Sequence, residues 1–255
     1  MLEADLIAAE ITGVLLVFAR LGAALMVLPG FGEIYVLPRL RLLAGLLLAA
    51  AVASSLPAAA VPDAARVLDA RLLPLVVAEV VHGLLIGASV RIVLVAVHLG
   101  GTVIAAQSGL AAAVFFDPHE AAQSSIGGNF LAATALVLMF VTEAHHAVLA
   151  ALVASYTTLP PGAAPPLGDF AELLTRLIGE ATATGLRIAA PVLAVSLLLN
   201  AAVGALGRLA PSLQLLFVAA PAQILLSLGA LLLSFAAGTH LFLVLLRRSV
   251  DLLSG

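Results

Sequence analysis

The chain has 255 residues, of which 63% are hydrophobic and 10% charged, with a mean hydropathy of +1.23. Soluble chains run at about 45–50% apolar and about 25% charged, so a water-facing globule is excluded and an integral membrane protein is indicated. With no Cys there are no disulfides, thiolate nucleophiles or Cys-ligated metals, and a net charge of −3 gives no ground for nucleic-acid binding. No Trp and two Tyr, in a chain rich in Leu, Ala and Val, point to helices rather than an aromatic-girdled barrel.

A bilayer core about 30 Å thick takes about 20 apolar helical residues to cross. The first such segment, about Leu6 to Leu28, carries Glu10 and Arg20. Its acidic start, MLEADLIAAE, lacks the basic region of a cleavable signal, so it is expected to remain as a helix. Arg39 and Arg41 precede the uncharged run Leu42 to Pro62, and Arg66 and Arg71 precede a third segment that begins near Leu72. That segment carries Glu79, His82 and Arg91 before the clean run Ile92 to Phe116. Charges at mid-span are costly in lipid, so the first and third helices are expected to face protein or a water-filled space. On the same ground Arg20 is expected to pair with a carboxylate across a helix interface rather than snorkel to a head group.

Further uncharged runs are Ala121 to Thr142, Ala144 to Gly168, Ile188 to Gly207 and Leu209 to Leu246, which brings the expectation to about six long helices. Gly83 with Gly87, and Gly100 with Ala105, place small residues where helix backbones can approach closely. The sharpest break is Leu159 to Phe170, LPPGAAPPLGDF, whose four prolines read as a stiff extended connector between two halves, residues 1–165 and 166–255. Basic residues flank both sides of the spans; the terminal pair Arg247 and Arg248 places the C-terminus in the cytoplasm.

Glu79-Val-Val-His82 and Glu143-Ala-His-His146 have the i, i+3 spacing that four-helix di-iron proteins use, but the two further Glu residues of such a site are not singled out, so no metal is expected. His98 and His240 read as packed or hydrogen-bonded residues. There is no G-x-S-x-G elbow and no Gly-rich phosphate loop, so neither an enzyme nor a cofactor is expected. One polar, turn-rich stretch, Phe115 to Asn129, interrupts the apolar pattern. It reads either as a simple loop between two spans or as a re-entrant plug, since non-helical backbone sits at membrane depth only where protein or water satisfies it.

Small motifs in a fixed order carry a resemblance. Phe18-Ala-Arg20, Pro29-Gly-Phe31-Gly32 and Pro38-Arg39-Leu-Arg41 lie near the start. Gln107-Ser-Gly109-Leu110, Phe116-Asp117-Pro118, Gln123-Ser124 and Gly128-Asn-Phe130 lie in the middle. Ser155-Tyr156 through Leu159-Pro160-Pro161-Gly162, then Ala190-Pro191, Asn200, Arg208-Leu-Ala-Pro211 and Pro221, follow. Together they resemble the FliR family of type III export-gate proteins, flagellar and injectisome, over nearly the whole chain, with the motif match and short tail favouring the flagellar branch. The sequence departs from the family where Pro211-Ser212-Leu213-Gln214 replaces a Pro-Gln-x-Asn motif and Gln223 replaces a Lys.

The resemblance implies an all-α membrane protein of about six long helices arranged as hairpins within a helical hetero-oligomer. Residues 1–165 are then FliP-like and 166–255 a FliQ-like hairpin. It implies FliP-like, FliQ-like and FlhB-like partners, membrane lipid and unfolded flagellar export substrates, in the inner membrane at the flagellar basal body. It favours the plug reading, with Gly109, Phe115, Phe116, Asp117, Pro118, Gln123, Ser124, Gly127 and Gly128 in plugging and gating. The three glycines are expected to supply backbone freedom. Arg20, Glu79 and Glu143 are assigned to pairing between helices or subunits. The reading from a different class is a secondary transporter for a small solute, in which Glu79 and His82 relay protons.

Overall fold

The computed structural model describes residues 2–55, 72–108, 126–209 and 215–254, and every regular element among them is a helix. In chain order these are α1 (Leu2–Val27), α2 (Pro38–Ser55), α3 (Leu72–Gln107), α4 (Ile126–Val141), α5 (Ala144–Thr158), α6 (Leu167–Leu209) and α7 (Leu215–Ser254). Five of them, α1, α2, α3, α6 and α7, are long and apolar enough to cross a membrane, and α4 with α5 make a sixth if taken as one broken span. Between those two, Glu143 adopts a left-handed conformation (φ 57°), which ends one helix and starts the next. Pro191 and Pro221 lie inside α6 and α7 without ending them.

The chain forms two compact units. The first comprises residues 1–92, 142–177 and 247–255, the second residues 93–141 and 178–246. In the first, α1 packs against α2 at two glycines: a side chain on Gly45 would meet Phe18, Leu25 and the Cα of Gly22. The crossing of α1 and the first half of α3 is tighter. A Cβ on Gly83 would fall on the carbonyl of Arg20, and one on Gly87 would come 2.9 Å from the carbonyl of Ala24. Small residues at this spacing let the two backbones touch, as expected for membrane helices that lack a hydrophobic drive to associate. The buried face of α1, including Leu16, Val17, Leu21, Ala24 and Leu25, lines the core of this unit.

In the second unit the close approaches are made by α3, α4 and α6. Gly101 and Gly127 face each other so closely that a Cβ on either would strike the backbone of the other helix, and Gly185 packs on the carbonyl of Ala96. About half of each membrane-crossing window of α1 and α3 is buried within the chain, against about a fifth for α2, α6 and α7. Arg20 and Glu79 thus lie on the two of these helices that the chain itself shelters most, whereas α6, which carries Glu180 and Arg187, is left mostly uncovered.

Candidate functional site

The charged groups of α1 and α3 meet in the first unit. The Gly83 approach sets α1 and α3 at contact distance one turn from Glu79, and the guanidinium of Arg20 reaches across to it. Nε of Arg20 donates to Oε2 of Glu79 at 2.7 Å and Nη2 donates to Oε1 at 3.1 Å, a two-pronged pair with both side chains 0% exposed. The fork of Arg matches the plane of a carboxylate, which is why this residue and not Lys suits such a site.

The remaining donors and acceptors of the pair go to the last turn of α5 and to the connector that follows it. Nη1 of Arg20 donates to Oγ of Ser155 at 3.1 Å and Nη2 to the carbonyl of Leu159 at 2.9 Å. Oε1 of Glu79 accepts the backbone amide of Gly162 at 2.7 Å. Gly162 holds φ 81°, a conformation open to glycine, and this turns its N–H toward the carboxylate. The ring of Tyr156 lies under the guanidinium, 4.1 Å from its carbon, while the phenol donates to the carbonyl of Val17 at 3.2 Å. A buried ion pair stabilises only when its other lone pairs and protons are used, and here both partners are satisfied by three helices and the connector. The arrangement is a clamp that fixes the proline-rich connector to α1 and α3.

His82, one turn on from Glu79, is fully buried, and neither ring nitrogen has a hydrogen-bond partner among the described residues. Because the carboxylate of Glu79 is occupied by Arg20 and Gly162, the Glu-x-x-His spacing is used here for packing and clamping rather than for metal ligation. Among the described residues no three His, Asp or Glu side chains converge as metal ligands.

Glu143 lies elsewhere. Its side chain is 78% exposed, and its ion-pair neighbour is His146 in the first turn of the α5 helix that it caps, at 4.0 Å. Within the chain, then, Glu143 does not bridge helices. Gly109, Phe115, Phe116, Asp117, Pro118, Gln123 and Ser124 lie outside the described residues, as does Gln214. Gly127 and Gly128 lie in the first turn of α4 with ordinary helical backbone, and they serve close packing: Gly127 against Gly101, Gly128 against Thr102 and His98. Their use in this structure is therefore the absent side chain and not the freedom of φ expected from sequence.

Contacts that sequence reasoning missed cluster at helix ends. The carbonyl of Gln107, the last residue of α3, accepts from Oγ of Ser196 at 3.2 Å and from Nε2 of Gln223. A carbonyl at a helix end has no partner in its own helix, and in apolar surroundings leaving it bare is costly. The Gln that stands at position 223 thus acts as a cap on α3. The signal was present as a polar residue amid Leu and Ala, but its target is main chain and has no sequence mark.

Compared with known proteins, residues 11–249 match the model of the family described as bacterial export proteins, family 1. The chain is also 35% identical over 221 residues to the flagellar biosynthetic protein FliR of Caulobacter vibrioides, covering 87% of each chain. The chain belongs to the FliR family of bacterial export proteins. It is 29% identical over 239 residues to FliR of Escherichia coli K12, covering 92% of this chain and 90% of that one. It is likewise 29% identical over 218 residues to FliR of Pectobacterium carotovorum, covering 84% and 82%. The matched stretch includes both members of the Arg20–Glu79 pair, the connector and the caps on α3.

Proposed function

We propose that this chain is one subunit of the flagellar type III export gate in the bacterial inner membrane, lining the channel through which unfolded flagellar proteins pass. Family membership over residues 11–249 makes it a membrane component of an export apparatus, and that is the observation that carries the reading. In this reading residues 1–165 are the FliP-like part and 166–255 the FliQ-like hairpin, assembled with FliP-like, FliQ-like and FlhB-like neighbours. Residues 109–125, with Phe115 and Phe116 as bulky apolar elements, serve as the plug that blocks small solutes at rest. The wide exposed apolar faces of α2, α6 and α7 support a chain whose burial is completed by lipid and by other subunits.

The Arg20–Glu79 clamp has a definite task in such a gate. A channel that opens for each substrate has to move some parts while holding others, and the clamp joins α1, α3 and the connector into one unmoving piece. The test is co-expression of a tagged chain with its FliP-like and FliQ-like neighbours, purification in mild detergent and native mass spectrometry. One large complex with a single copy of this chain is expected; recovery of the chain alone, monodisperse, refutes the reading. Deletion of residues 115–125 is expected to leave the complex assembled and to make cells leaky to small solutes, and unchanged permeability removes the plug assignment.

A further inference from the structure

His82 sits beside the clamp and takes no part in it. Like Arg20 and Glu79 it is 0% exposed, and neither of its ring nitrogens has a hydrogen-bond partner among the described residues. The carbonyl of Ala78, one turn back, lies near the ring without the geometry of a bond. A neutral imidazole has one donor and one acceptor, and leaving them bare in an interior is costly. The surroundings have little room to supply partners by shifting, because Gly83, the next residue, sets α3 directly against the carbonyl of Arg20. The charges that act on the ring are those of Arg20 from α1 and Glu79 from its own helix. From α5 comes the phenol of Tyr156, which is engaged with the carbonyl of Val17.

We propose that His82 makes the clamp proton-sensitive: as a neutral ring it leaves the Arg20–Glu79 pair standing, and as a protonated ring it releases the connector. A neutral imidazole adds no charge to a pair whose charges cancel. A protonated one adds a second cation beside Arg20, and its extra N–H needs an acceptor. Glu79, three residues back on the same helical face, is the carboxylate in reach, but its oxygens are taken by Arg20 and by the amide of Gly162. The protonated ring therefore either stays as a buried charge without a partner or draws Glu79 away from the groups it holds. Both outcomes weaken the hold on Leu159 and Gly162, the two points at which the connector is tied to α1 and α3. The device does not depend on where the chain sits in an assembly, because every group in it belongs to this chain. Once released, His82 is an ordinary imidazole and takes up a proton, so the clamp is at full strength above the imidazole range and weakens as pH falls through it. With a free value of about 6.5, lowering the pH from about 7.5 to about 5.5 multiplies the released-to-closed ratio about tenfold.

The chain has no Cys, so a single introduced one reports on the connector, and Pro161, between the two tied residues, is buried. Pro161→Cys is made in the full chain and purified with co-expressed neighbours that carry no Cys. Its reaction with a maleimide is followed at the two pH values, with His82 intact and as His82→Phe or His82→Gln. Each rate is divided by that of the denatured chain at the same pH, which cancels the chemistry of the thiol and leaves the protection given by the closed clamp. Protection is expected to fall about tenfold on acidification when His82 is present and to change little in either His82 variant. His146→Gln, at a position whose side chain is 68% exposed, is expected to keep the full response. Protection that ignores pH with His82 present overturns the proposal, as does an equal fall in both His82 variants or a response lost in His146→Gln. Thermal unfolding with the connector left native is the second readout: the drop in unfolding temperature on acidification is expected to be larger in the parent than in His82→Gln, and equal drops overturn the proposal.

Discussion

Removing one partner of the Arg20–Glu79 pair is the sharpest perturbation available. In Glu79→Ala the guanidinium stays at 0% exposure with two of its four bonds gone, and the Gly162 amide loses its acceptor. Neutral hydrogen bonds between membrane helices average about 0.6 kcal/mol, whereas an orphaned buried charge costs about 3–5 kcal/mol, so the charge term decides the outcome. At about 2–4 °C per kcal/mol for a chain of this size, each single variant, Glu79→Ala or Arg20→Met, is expected to unfold roughly 10 °C below the parent. The double variant Arg20→Met with Glu79→Leu leaves the Leu159 carbonyl and Gly162 amide short of a partner, a loss of about 1–3 kcal/mol per group left bare. It removes the buried charge, however, and is expected to lie above either single. Thermal unfolding of the purified complex, followed by fluorescence-detected size exclusion, gives the four corners of the cycle. Loss in the double equal to the sum of the singles within about 0.5 kcal/mol refutes the coupling, and singles that unfold with the parent refute the clamp.

Two further outcomes follow from the packing. Gly83→Val is expected to drive α1 and α3 apart, because the new side chain lands on the carbonyl of Arg20, and to lower complex yield as far as Glu79→Ala does. Gly229→Ala, with nothing within 4 Å, is expected to be neutral or to gain about 0.5–1 kcal/mol; the reverse order of the two in the same unfolding assay rejects the glycine argument. Gln223→Leu leaves the Gln107 carbonyl with Ser196 alone and is expected to cost about 1–2 kcal/mol locally. Hydrogen exchange at the last turn of α3 is expected to quicken while α1 is unchanged, and equal protection in both proteins removes the cap.

The helices were legible because long uncharged runs have one solution in lipid, and α3 begins at the expected Leu72. Arg20 was legible for the same reason: a cation amid Leu and Ala has to find an anion. Its partner could be narrowed to a few carboxylates but not chosen, since the choice rests on the Gly83 crossing, which spacing suggested only as ordinary small-residue packing. Glu143 stands in an apolar stretch as Glu79 does, but its left-handed backbone puts it at a helix break with an exposed side chain, which leaves pairing with another subunit as the form of that assignment. The Gly127-Gly128 pair suggests a hinge when read alone, and its use against Gly101 depends on a helix distant in sequence. What stayed invisible were bonds to main chain, at Leu159, Gly162 and Gln107, where the side chain printed in the sequence has no part in the contact.

That last point bears on genetics. The connector contributes a carbonyl at Leu159 and an amide at Gly162 to the clamp, so an alanine scan passing through Leu159 keeps the carbonyl and will score the position as silent. Gly162→Pro deletes the N–H itself. A collection of loss-of-function alleles will therefore concentrate on Arg20, Glu79 and Gly162, whose φ of 81° admits no side chain without strain, and leave Leu159 blank on the map although its carbonyl is part of what the pair holds.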